Sequence, residues 1–148
     1  MNKIQFTAIG IIHSPIKVSR GAPIQPRYAR GIEGRVEIFP EYVAGLADLA
    51  GFSHVTLIYY FHKAKGCSLR VVPFLDDQEH GVFATRSPHR PNPIGISVVK
   101  LLDVRDNILR ICDIDALDGT PLLDIKPFVP EFFDRENIRL GWLHEKIV

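Results

Sequence analysis

Strand signals outnumber helix signals along this chain. Residues 5–12 (QFTAIGII) are rich in β-formers and are closed by the turn-prone His13-Ser14-Pro15. Residues 35–39 alternate apolar with charged side chains, as a half-buried strand does. Residues 54–62 (HVTLIYYFH) are β-branched and aromatic without a clear period, the pattern of a strand covered on both faces. Further strands are expected at residues 69–73, 94–104 and 108–117, the last two joined by a turn at Asp106-Asn107, with a short one at residues 82–85. One helix stands out. Residues 40–51 (PEYVAGLADLAG) place proline at a first-turn position, Glu41 beside it, Val43, Leu46 and Leu49 near helical spacing, and Gly51 as a stop. Many short strands with one or two short helices predict a mostly β fold, a small antiparallel barrel over residues 1–130. Residues 131–148 follow as a tail bearing Phe132, Phe133, Leu140, Trp142 and Leu143, expected to dock on the barrel or on a partner subunit.

Composition narrows this picture without redirecting it. A chain of 148 residues that is 46% hydrophobic supplies one core and not two. The formal charge of +1 conceals an asymmetry: Lys17, Arg20, Arg27, Arg30 and Arg35 face Glu33 alone in residues 17–35, whereas residues 103–124 are acid-rich. Such a basic segment permits a polyanionic partner. Cys67 and Cys112 are far apart and signal neither a disulfide framework nor a zinc site, and Cys112, among apolar neighbours, reads as core filler. No apolar run reaches the length of a membrane span and the amino terminus lacks a signal-peptide pattern, so a cytoplasmic protein away from membranes is expected. Several chemistries drop out. GxGxxG, P-loop and GxSxG patterns are absent, and the six histidines form neither HxH nor HExxH, so no metal is expected.

What remains is a set of polar clusters in loops. Residues 81–97 (GVFATRSPHRPNPIGIS) pack Arg86, His89, Arg90 and Asn92 between Pro88, Pro91 and Pro93, whose fixed φ stiffens the loop. Guanidinium groups held this way suit an anionic ligand, although basic proline-rich loops also occur simply as connections. Residues 21–34 (GAPIQPRYARGIEG) are a second basic loop, either a ligand wall or a solvated connection. His62 and Lys63 end the 54–62 strand, where a core histidine and a site histidine are both reasonable. Asp118-Gly119-Thr120-Pro121 is a turn signature with aspartate at its first position, and Asp115 and Asp118 are carboxylates able to accept from ribose hydroxyls or an ammonium group.

Taken in order, IGIIHSP at 9–15, PIQP at 23–26, FSHV at 52–55, YYFHK at 59–63, GVFATRSPHRPNPIGIS at 81–97 and DALDGTPLLDIKPF at 115–128 closely resemble the TrmO (TsaA-like, VirR) family of S-adenosylmethionine-dependent tRNA methyltransferases. The resemblance runs across nearly all of residues 6–130. It implies a β-barrel methyltransferase unlike the Rossmann type, working as a homodimer with the cofactor near the subunit interface. The family's product is the N6-methyl derivative of N6-threonylcarbamoyladenosine, next to the anticodon of a tRNA that reads threonine codons. Carried over by position, the resemblance sets S-adenosylmethionine against Pro23, Ile24, Gln25, His62, Lys63, Arg86, Ile96, Asp115, Leu117, Asp118, Gly119, Thr120 and Pro121. Ile24 stands where bacterial members usually have arginine, and Lys63 where they have glutamine; backbone contacts survive such changes. Longer bacterial members continue into an additional domain, so a chain running to Val148 is expected to dock tRNA without it or with a replacement.

Methyl transfer from a sulfonium is an in-line displacement that needs alignment and exclusion of water rather than a metal or covalent nucleophile. In that scheme Arg86 pairs with a carboxylate, and Asp115 or Asp118 with ribose or the amino group. The departing N6 proton goes to His62, to Asp118 or to water. Arg27, Arg30 and Arg90 are read as the phosphate contacts. Two rival readings are a methyltransferase for another RNA or a small molecule, and a non-catalytic module that binds the cofactor or nucleic acid.

Overall fold

The computed structural model describes residues 2–18 and 29–147. It divides into two compact units, residues 1–63 with 93–128, and residues 64–92 with 129–148.

The first unit is a barrel of antiparallel strands closed in the order β1-β2-β7-β6-β3-β8. These are β1 (Gly10–His13), β2 (Glu33–Ile38), β3 (His54–Tyr60), β6 (Ile94–Arg105), β7 (Ile108–Cys112) and β8 (Thr120–Pro127). The expected mostly β barrel is therefore the observed fold. Alternation builds it: Ile12, Val36, Ile38, Val55, Leu57, Val99, Leu109, Ile111 and Leu122 point inward and are buried. Each such aliphatic side chain contributes about 1.5–3 kcal/mol on burial. Ile114 and Ala116, in the loop after β7, are also buried and plug one end of the barrel.

Several elements differ from the sequence expectation for identifiable reasons. Residues 40–51 form no α-helix but two 3-10 segments, Pro40–Leu46 and Leu49–Gly51, parted by Asp48 in left-handed geometry at φ 68°. Val43 and Leu46 recur at the three-residue spacing that stacks them on one face of the first 3-10 segment, and both pack on the core, as does Leu49 from the second. β3 is not covered on both faces, because buried and half-buried positions alternate along it. β1 starts later than expected, and Ile4 and Phe6 lie outside it and exposed. β7 stops at Cys112 because Asp113 turns the chain out of the ladder at φ 72°. Cys112 is half-buried, with its thiol 3.5 Å from Asp113 Oδ1, rather than core filler. β8 was hidden in the sequence by Pro121, Asp124 and Pro127; its pairing with β3 shifts register at Ile58/Tyr59.

The second unit holds β4 (Arg70–Val71) paired with β5 (His80–Gly81). The strand expected at residues 82–85 is instead a 3-10 turn, Val82–Ala84, closed by Thr85, whose amide and Oγ1 both donate to the Val82 carbonyl at 3.1 and 2.8 Å. Its tail contains the 3-10 segments Pro130–Phe132 and Gly141–Leu143 and the helix α1 (His144–Ile147).

Candidate functional site

Register gathers most of the singled-out residues of the first unit at one end of the barrel. β1 pairs Ile12 with Thr120, β3 pairs Tyr60 with Ile94, and β2 pairs Glu33 with Cys112. The exits of β1, β3 and β7 and the entries of β6 and β8 therefore lie together. The loop from β7 to β8 crosses this end, tied to β1 by Gly119 N–H on the Ile12 carbonyl (2.8 Å) and to the segment after β1 by Asp118 N–H on the Ile16 carbonyl (2.7 Å).

That loop ends in a turn one residue earlier than the sequence suggested. Thr120 N–H donates to the Leu117 carbonyl at 3.2 Å and its Oγ1 does so at 2.6 Å, so Leu117 opens the turn. Gly119 holds φ +82°, a region that penalises any residue with a Cβ, and such a Cβ would lie 3.9 Å from His62 Nε2. His62 and the Asp118-Gly119 turn are thus neighbours. Burial first, and the Lys63 charge second, push the His62 imidazole below its ordinary value, so the ring is neutral at neutral pH.

The two aspartates occupy different settings. Asp118 accepts the Ser14 amide on Oδ1 at 3.0 Å and the Lys17 ammonium on Oδ2 at 2.7 Å, with His13 Nδ1 3.9 Å away. The Lys17 bond, then the Ser14 amide, holds its carboxyl below the usual carboxylate range. Both its oxygens already accept from the chain. Asp115 ends a buried relay: Ser97 Oγ donates to Asp115 Oδ1 at 2.6 Å, and Tyr59 Oη lies 2.7 Å from the same Ser97 oxygen. Since a serine hydroxyl has one proton, Tyr59 is the donor to Ser97. Tyr59 is 3% and Ser97 2% exposed. A Cβ on Gly95 would overlap the rings of Tyr59 and Phe61, which meet edge to face 5.5 Å apart, so glycine is required where they cross β6.

Other predicted positions fall elsewhere. Ile96 is 47% exposed and points outward from β6, while its neighbours Gly95 and Ser97 point inward. Leu117 and Pro121 are half-buried, Thr120 is buried, and Lys63 and Arg30 are exposed. Arg86 and Arg90 belong to the second unit. Arg86 is exposed, whereas Arg90 Nη1 donates to the carbonyls of Thr85 (2.9 Å) and Ser87 (3.0 Å) and braces the loop. Pro23, Ile24, Gln25 and Arg27 lie outside the described residues. A groove of about 470 Å³ on the outer wall, lined by His13, Lys17, Glu33, Arg35, Arg110 and Asp118 among others, shares only Asp118 with the predicted set. Sequence reasoning did not single out Tyr59, Ser14 or Ser97 as chemistry. The one available signal was that each lies inside a motif flanked by glycine, proline or histidine. Among the described residues no group of three His, Cys, Asp or Glu side chains is placed to hold a metal, and no helix is long and apolar enough to cross a membrane.

The fold and this barrel end define a small closed antiparallel barrel whose polar groups converge on strand termini and the turn before β8. The chain belongs to the tRNA-methyltransferase O N-terminal domain family, which matches residues 11–134. It is 59% identical to a probable S-adenosyl-L-methionine-binding protein of Pyrococcus abyssi, over 97% of this chain and 78% of that one. It is 38% identical to the tRNA (adenine(37)-N6)-methyltransferase of Escherichia coli, over 88% of this chain and 60% of that protein. The crystal structure of TrmO from Pseudomonas aeruginosa superposes with a TM-score of 0.79 at 39% identity, covering 96% of this chain and 62% of the other. This chain thus spans about three fifths of those two longer relatives.

Proposed function

We propose that this chain is an S-adenosylmethionine-dependent methyltransferase of tRNA adenine N6, acting on N6-threonylcarbamoyladenosine beside the anticodon. The observation that carries the reading is the convergence of His62, Asp115 and the Leu117–Thr120 turn at one barrel end, in a chain of this family. The donor set suits the cofactor. A carboxylate held by a buried relay accepts from hydroxyl or ammonium groups, and a left-handed glycine turn lets the backbone approach closely. Asp115 would hold the ribose or amino end and the 117–121 turn the nucleoside. Pro23, Ile24, Gln25, Lys63, Ile96 and Arg86, the last for the carboxylate, complete the set by family likeness.

S-adenosylmethionine would supply the methyl group from its sulfonium, whose S–CH3 bond breaks to leave a neutral thioether as the N6–CH3 bond forms. The residues contribute alignment and exclusion of water. The proton lost from N6 is assigned to His62, a neutral imidazole with its pKa lowered, in preference to Asp118, whose oxygens are engaged by Ser14 and Lys17. Arg27 and Arg30 contact RNA phosphates, and the compartment is the cytoplasm, where the substrate is modified. The chain acts as a homodimer. Its support is an apolar wall on β3 and β6, where exposed Tyr60 pairs with exposed Ile94 and half-buried Ile58 with exposed Ile96.

Calorimetry with S-adenosylmethionine tests the cofactor, and no binding at concentrations well above cellular levels removes the methyltransferase reading. Mass spectrometry of tRNA from a deletion strain tests the acceptor; unchanged N6-methyl-threonylcarbamoyladenosine removes it. Arg86→Ala is expected to weaken cofactor binding more than about tenfold with the fold intact, the scale of a charged contact. His62→Ala is expected to lower kcat at saturating cofactor by about 10²-fold or more, beyond any loss of cofactor affinity; an unchanged kcat removes the base assignment. Light scattering reads the assembly, and a mass of 16.7 kDa counts against the dimer.

A further inference from the structure

The carboxyl-terminal residues carry a second constellation, entirely inside the second unit. Trp142 lies flat on the His80 imidazole, with ring centroids 4.3 Å apart and planes 17° from parallel. Its indole Nε1–H donates to the Ala84 carbonyl at 2.9 Å. His80 Nε2 stands 2.7 Å from Asp76 Oδ2, and Lys146 Nζ 3.6 Å from Oδ1 of the same carboxylate, which is 8% exposed. One side chain of the tail therefore touches both the end of β5 and the 3-10 turn that follows it.

That turn leads directly to Arg86. Ala84 is its last residue, and beyond it Arg90 grips the carbonyls of Thr85 and Ser87. The backbone flanking Arg86 is thus fastened at 84, 85 and 87, while the Arg86 side chain is exposed and no hydrogen bond or ion pair to it is found among the described residues. Arg90 comes from the same loop and stabilises only its curvature. Trp142 comes from a segment more than fifty residues away in sequence and fixes where the loop begins.

We infer that Trp142 is a positioning residue for Arg86: through Ala84 and His80 it holds the loop that presents the guanidinium to the anionic end of the cofactor. The inference rests on the reading of Arg86 as a cofactor contact. The tail thereby sets cofactor affinity without touching the ligand, and no bond is made or broken in doing so.

Trp142→Phe keeps a ring for His80 and removes the donor. Amide hydrogen exchange at residues 84–87 is expected to rise while β3 and β6 are unchanged, and S-adenosylmethionine affinity to fall about fivefold, the size of one net hydrogen bond. In an Arg86→Ala background the same substitution is expected to cause no further loss, because the two act on one contact. Unchanged exchange at 84–87, unchanged affinity, or an equal fivefold loss in the Arg86→Ala background each overturns the inference. Arg86→Ala alone with wild-type affinity removes the cofactor-contact reading instead, and leaves Trp142 a brace for the loop and nothing more. The unmodified chain gives a further check, since Trp142 is its single tryptophan. Coupling is reciprocal, so saturating cofactor is expected to shift Trp142 emission with the calorimetric midpoint; a silent emission overturns the positioning role.

Discussion

Each of the two units is shaped by its own physics. The barrel buries a continuous cluster that runs from Ile12 through Leu57 and Val99 to Leu122. In the second unit Val82 is the buried hydrophobic residue among those described, while Leu69, Val72, Phe74, Phe83 and Phe132 are exposed. What shapes that unit is directional: the Asp76–His80–Trp142 stack, the Arg70–Glu79 pair and the two bonds from Arg90. Apolar burial grows with area and hardly depends on direction, so it supplies stability. Hydrogen bonds and exposed ion pairs are individually small in net free energy but strict in geometry, so they fix where a loop goes. One unit supplies the stability, and the other holds the proline-rich basic loop in shape.

The comparison breaks most visibly at the core. Leu57→Ala is expected to cost about 2–5 kcal/mol in denaturant unfolding, with loss of the whole barrel; a cost under about 1 kcal/mol would show that the strands are not held by packing. Ser97→Ala is expected to cost about 1–3 kcal/mol by removing the middle of the Tyr59–Ser97–Asp115 relay, and to weaken cofactor binding as well. Unchanged affinity would mean that Asp115 is oriented without it. Acid sharpens the contrast at the smallest scale. Asp76 is held well below its ordinary 3.8, by the His80 hydrogen bond first and then the Asp77 and Gln78 amides and Lys146. A carboxyl depressed in the folded state stabilises it fully above the ordinary value and loses that contribution as pH falls below it. Between neutral pH and about 4, Trp142 emission is therefore expected to stay constant, and below that to report release of the tail while barrel circular dichroism persists. Simultaneous loss of both signals would erase the distinction between the units.

Legibility in the sequence followed the same division. Barrel strands announce themselves by alternation, because each inward position must be apolar, and those at 94–104 and 54–62 stand within a few residues of the observed β6 and β3. β8 was invisible because two prolines and an aspartate interrupt its pattern, and only its partners β1 and β3 make it a strand. Residues 40–51 look α-helical in sequence because a repeat of three and one of three to four are nearly indistinguishable over two turns. At the site, the turn glycine and the histidine were readable as residue types. The Tyr59–Ser97–Asp115 relay was not, since it joins positions 38 and 18 residues apart that only the barrel brings together. Trp142 was readable only as part of an apolar tail, because its bond goes to a carbonyl 58 residues away.

Closure of the barrel has a consequence for assembly. Every strand of the first unit has a neighbour on both sides, so none presents a whole free edge, although β6 pairs with β3 only over residues 94–100 and with β7 only over residues 100–105. A chain that added a strand would find only those short half-edges. A second copy or an RNA loop would therefore be met mainly by side chains, through shape and charge. The β4–β5 ribbon is the described sheet with open edges, and at two residues a strand it is too short to template growth. A fold of many short strands is in this way protected from edge-to-edge aggregation by its own topology.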